Sequence, residues 1–133
     1  MRNGIYAVLT ALCLALPVAA QEAPIQSTIQ NQIDAFQADD FALAFSYASP
    51  NIKGLFGTAE NFGAMVKEGY PMVHRPAEVE MQDLREVAGN LWQRVRVVDQ
   101  EGRAHILDYM MIETPEGWQI NAVQLLPAPD VGV

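Results

Sequence analysis

Apolar residues Ile25, Ile29, Ile33 and Phe36 recur three or four positions apart, with Gln30, Asn31, Asp34 and Gln37 between them. One apolar stripe on a polar cylinder predicts an amphipathic helix of about three turns. Asp39-Asp40 can cap a second helix over 41–48, with Phe41, Ala44, Phe45 and Ala48 on its apolar face and Pro50 as its stop. Ser49-Pro50 starts a short third helix that ends near Gly54 or Gly57. Thr58 caps a fourth, with Phe62, Met65 and Val66 inside and Gly69 then Pro71 closing it.

From Ala77 the period changes to two. Segments 78–87, 91–99, 103–113 and 118–126 read as strands joined by short turns at Ala88-Gly89-Asn90, Glu101-Gly102 and Pro115-Glu116-Gly117. Turns this short make neighbours antiparallel. Helices followed by a meander predict an α+β fold in which the N-terminal helices cover one face of a four-stranded antiparallel sheet.

Turn length sets the expected register. A two-residue Glu101-Gly102 turn pairs Val97 with Ile106 and Val95 with Asp108, a three-residue first turn pairs Asp83 with Val95, and the last loop pairs Met110 with Ile120. The face under the helices then carries Val79, Met81, Val95, Val97, Ile106, Met110, Ile112, Trp118 and Ile120, with Asp83, Arg85 and Asp108 among them. Leu107, Tyr109, Met111, Val123 and Leu125 fall on the outer face. A slip of one residue inverts such an assignment.

The first twenty residues do not belong to this pattern. Arg2 precedes an uncharged apolar run over 5–16, Pro17 breaks it, and Val18-Ala19-Ala20 supplies a small-residue cleavage site. This is the pattern of a secretory signal peptide, too short for a comfortable membrane span. Residues 21–133 are then one exported domain, periplasmic or secreted, with a frayed tail from about 127. Cys13, the sole cysteine, lies inside the apolar run, so the mature domain has no disulfide or thiolate chemistry. Sixteen acidic residues against eight basic, a net charge of −8, argue against nucleic acid and against an anionic membrane surface as partners.

The Ile/Phe helix, the Asp39-Asp40-Phe41-Ala42-Leu43-Ala44-Phe45 segment, Pro50, a further helix and four strands together resemble the nuclear transport factor 2-like superfamily. That resemblance implies a curved sheet and helices enclosing a cone. Phe62-Gly63-Ala64-Met65-Val66, then Gly69-Tyr70-Pro71-Met72-Val73, and Gly117-Trp118-Gln119-Ile120 are similar to an exported bacterial family known as domain of unknown function 4864, over about 25–127. The superfamily contains isomerases, dehydratases and cyclases beside non-catalytic binding modules, and the narrower family brings no catalytic residues. Fold alone does not assign activity.

On the expected register Asp83 and Asp108 stand two strands apart, about 9–10 Å between backbones. A carboxylate walled by Met81, Met110 and Trp118 is a candidate general base, and Arg85 is a candidate partner that would neutralise it. His74, in the connection after Tyr70-Pro71-Met72-Val73, is placed to form the cone's mouth and serve as acid or base. Tyr70 and Trp118 are amphipathic rings able to edge a pocket. The catalytic candidates are therefore Asp108, Asp83 and His74, and the ligand-binding set is Tyr70, Arg85, Asp108, Met110 and Trp118. No HExxH spacing, nucleophile elbow or phosphate-binding glycine loop occurs, so no metal or cofactor is expected. The leading reading is a non-catalytic exported module that binds a small apolar or amphipathic ligand, or a protein partner. It would form a homodimer through the outer sheet face. The alternatives are a cofactor-independent lyase or isomerase with a pocket aspartate as base, and a structural accessory whose cone is filled by its own side chains.

Overall fold

The computed structural model describes residues 17–127. Helix α1 (Val18–Gln37) buries its predicted stripe completely: Ile25, Ile29, Ile33 and Phe36 are shielded from solvent. Burial of each such side chain stabilises the fold by about 1.5–3 kcal/mol. Asp39 turns the chain at φ 57, and the Asp40 carboxylate accepts from the Leu43 amide at 3.1 Å to start α2 (Phe41–Ser46). Ser49 caps α3 (Pro50–Phe56), and Thr58 caps α4 (Ala59–Gly69), each side-chain oxygen accepting from the amide three residues on. Pro71 opens a one-turn helix, α5 (Pro71–His74), where the sequence predicted only a connection. No described helix is long and apolar enough to cross a membrane.

Strands β1 (Glu78–Val87), β2 (Asn90–Val98), β3 (Ala104–Thr114) and β4 (Gly117–Leu126) form one antiparallel sheet in chain order. The architecture is α+β, helices on a four-stranded antiparallel sheet, as expected. The α2–α3 junction is stitched to β4: the Ser49 amide donates to Ile120 O at 2.8 Å, and the Ile120 amide donates to Tyr47 O at 2.9 Å. That contact covers part of an otherwise open sheet edge. The expected signal segment lies outside the described residues up to position 16, and its last three residues form the first turn of α1. Residues 128–133 of the expected tail also lie outside them.

The strand positions match expectation, but the register differs by one residue at each turn. Ala88 and Gly89, at φ 52 and 83, make a two-residue turn that pairs Val87 with Asn90. Two successive positive φ values match the twist of a tight hairpin. At the second turn the Asp99 side chain accepts from the amides of Glu101 and Arg103, both at 2.9 Å. Three residues rather than two are thereby enclosed, and Val95 meets Leu107 instead of Asp108. At the third, Thr114 pairs with Gly117 around Pro115-Glu116.

This slip exchanges the two faces of β3. Leu107, Tyr109 and Met111, assigned above to the outer face, are buried in the core under the helices, and Val123, assigned there too, pairs with Tyr109 and packs against the same core. Ile106, Asp108, Met110 and Ile112 take the opposite face. In β1 a bulge between Met81 and Leu84 adds a second one-residue shift, so Val79 and Met81 return to the expected face beside Val97 and Val95. Gln93, fully buried, secures that bulge: its Nε2 donates to Gln82 O at 2.8 Å and to Arg94 O at 2.9 Å.

Candidate functional site

A cavity of about 320 Å³ lies between the helices and the inner face of β3 and β4. That is the small end of the range for ligand pockets, roughly 300–1,000 Å³. Phe36 of α1, Ile52, Leu55 and Phe56 of α3, and Phe62, Met65 and Val66 of α4 form one wall. Ile120, Asn121, Ala122 and Val123 of β4 face them, with Tyr70, Val73 and Tyr109 closing the space. Phe62 is the centre of the wall: its ring centroid lies 5.7 Å from both Phe36 and Phe56 and 5.2 Å from Phe45. Such offset and edge contacts hold aromatic walls in fixed positions. Leu55 stands at the rim, 73% exposed.

Among the described residues, four polar side chains line this space and none is charged: Gln32, Tyr70, Tyr109 and Asn121. Gln32 donates from Nε2 to Ala44 O at 3.1 Å, and Asn121 accepts from Ser49 Oγ at 2.7 Å. Tyr109 is 1% exposed, and burial, with the Tyr70 phenol beside it, pushes its ionisation far above the usual tyrosine range. It is therefore a neutral donor at any physiological pH. Among the described residues its hydroxyl has no hydrogen-bond partner.

Of the residues expected to bind ligand, Tyr70 alone lines the cavity. Asp108 lies on the opposite sheet face, 5% exposed, where Arg85 donates to both its oxygens at 2.9 and 2.7 Å and Arg94 adds a contact at 3.4 Å. The bond to Asp108 raises the Arg85 pKa further. Asp108 and Arg85 thus neutralise one another outside the cavity, and the slip at the Asp99 turn is the cause. Met110 goes to that face with them. Asp83 sits at the β1 bulge, exposed. Trp118 packs against the core but lines a separate groove with Pro24, Thr28, Tyr47 and Lys53. His74 ends α5 with Nε2 at 2.8 Å from Asp39 Oδ1, its ring 5.8 Å from that of Phe41. His74 and then Arg75 hold the Asp39 carboxyl below its ordinary range, a tie between α5 and the α1–α2 turn.

Among the described residues, the cavity lining contains no carboxylate and no imidazole. Asp108, Asp83 and His74, the expected catalytic candidates, do not line this cavity. Sequence reasoning missed Tyr109, Gln32, Asn121 and the α3 wall. Tyr109 was within reach of it, because Asp99 two residues before Glu101 is the signal of a side-chain-capped turn that lengthens the loop.

Residues 18–133 match the family described as Domain of unknown function (DUF4864). No curated protein matches the chain. A solved structure similar to this chain is the phospholipid-binding protein from Ralstonia solanacearum in complex with a phospholipid. It is 14% identical, the match covers 79% of this chain and 77% of that one, and the TM-score is 0.47.

Proposed function

The chain belongs to the family described as Domain of unknown function (DUF4864), and from that premise we propose that it is an exported, non-catalytic binding module whose helix–sheet cavity takes a small, largely apolar ligand. The observation that carries this reading is the cavity itself: about 320 Å³, walled by aromatic and aliphatic side chains, without a charged residue. A domain that only filled its own cone would leave no such space, since voids beyond the size of a water are few in packed interiors.

Export is supported by the position of Pro24. A proline has no amide to donate and clashes with the carbonyl four residues before it, here Ala20. Cleavage after Ala20 removes that carbonyl and leaves Pro24 in the first turn of the shortened helix, where proline is tolerated. A homodimer through the outer sheet face also belongs to the proposal, with corrected residues. Trp92, Met110 and Ile112 are partly exposed there and Val87 is exposed, side by side across β1, β2 and β3. Adjacent apolar groups of this kind mark interaction surfaces, and a symmetric dimer is the commonest assembly.

The test of the cavity uses N-phenylnaphthylamine, an uncharged apolar dye that brightens in apolar surroundings. The wild-type protein should bind it saturably. Met65→Trp, which fills the space from a partly exposed position on α4, should abolish the signal while circular dichroism stays native. Equal binding by this folded variant would place the dye elsewhere and remove the reading.

A further inference from the structure

We propose that the cavity selects an uncharged ligand with a short apolar body ending in an oxygen acceptor, held by the hydroxyls of Tyr109 and Tyr70. This rests on the cavity-binding reading above and names the ligand class. The apolar walls would accept any hydrocarbon of suitable size, so selectivity must come from the polar groups. Tyr109 is buried, lines the cavity, and has no hydrogen-bond partner among the described residues. Tyr70 lines the same cavity, and among the described residues its hydroxyl likewise has no hydrogen-bond partner.

Two phenols lining one cavity offer O–H donors to a ligand's acceptor oxygen, as a carbonyl or hydroxyl group provides. Burial keeps Tyr109 protonated, so the donor is permanent. An ionised carboxylate or phosphate is disfavoured, because among the described residues no Lys, Arg or His lines the cavity to compensate its desolvation. A plain hydrocarbon would offer neither hydroxyl an acceptor. Sites built to hydrogen-bond a polar group discriminate against analogues that lack it.

Three ten-carbon probes separate these cases by displacement of bound N-phenylnaphthylamine: methyl octyl ketone, decane and decanoate at neutral pH. The ketone should bind more tightly than decane, and decanoate more than about tenfold more weakly than the ketone. Tyr109→Phe, nearly isosteric and expected to fold, should weaken the ketone by about two- to tenfold and leave decane unchanged or improved. Tyr70→Phe should act in the same direction. Equal affinity for ketone and decane, indifference of the ketone to both variants, or decanoate binding as tightly as the ketone would each overturn the selectivity while the cavity reading stands. Failure of the wild-type protein to bind the dye or any probe would overturn both.

Discussion

Asp108 is held by what the strands on either side present to it. Its two oxygens meet Arg85 from β1, and one also meets Arg94 from β2. Arg94 Nε is already buried without a partner, so this cluster has few bonds to spare. Asp108→Asn removes the charge that both guanidinium groups answer. Breaking a fully buried pair costs about 3–5 kcal/mol. Each arginine side chain here is about one-third exposed, which reduces the penalty. The expected loss is about 1–3 kcal/mol in urea denaturation at neutral pH. Had the aspartate faced the apolar cavity alone, the same change would stabilise the fold, so the sign of the effect reports the face. Tyr109 is the reverse case: a polar group the register carried inward, where its hydroxyl joins those of the few polar side chains in a largely apolar lining.

Among the elements, the helix starts were legible because capping is local. Asp40, Ser49 and Thr58 each cap a helix through a contact three residues away. The pairing of α2 with α4 was not legible, because it depends on a glycine read only as part of a family pattern. Gly63 lies flat against the Phe41 ring, and a Cβ added there would stand 2.7 Å from ring atom Cδ1 and 2.8 Å from Cγ. The ring cannot easily withdraw, with Phe36 at 6.2 Å, His74 at 5.8 Å and the Lys67 ammonium at 5.2 Å around it. In an open helix Gly→Ala stabilises by about 0.8–1.0 kcal/mol. Here Gly63→Ala should instead destabilise by about 1–3 kcal/mol as the helices are forced apart. A lowered Tm checks this, and a raised one would show that the two helices can separate at little cost.

At the scale of the whole molecule, the inverted face of β3 changes which residue probes assembly. Leu107, expected at a subunit interface, is fully buried in the protomer's own core, so a lysine there would unfold the domain instead of separating subunits. Met110 is the appropriate position, beside Trp92 on the outer face. Protein recovered from the cell envelope should have a mass beginning at Gln21 and sediment as a dimer. Met110→Lys should sediment as a monomer with native circular dichroism. A wild-type monomer at every concentration would end the dimer proposal, and a chain retaining Met1 would end the export proposal.

The sequence by itself determined which segments are strand and which are helix, except the one-turn α5 and the first turns of α1. A period of 3.6 or 2, a capping side chain and a proline or glycine stop all act within a few residues. The α+β layering followed from their order, and so did the burial of Ile25, Ile29, Ile33 and Phe36. Only the tertiary structure decided which face of β3 meets the helices. In the sequence pattern, β3 offers nearly equal apolar sets on both sides, Ile106, Met110 and Ile112 against Leu107, Tyr109 and Met111. Hydrophobicity could not choose between them. The choice fell to a single extra residue held in the Asp99 turn, and to the bulges in β1 and β4 that realign their partners. Because side chains alternate with every residue, that small local preference moved Asp108 out to its arginines and carried Tyr109 into the cavity.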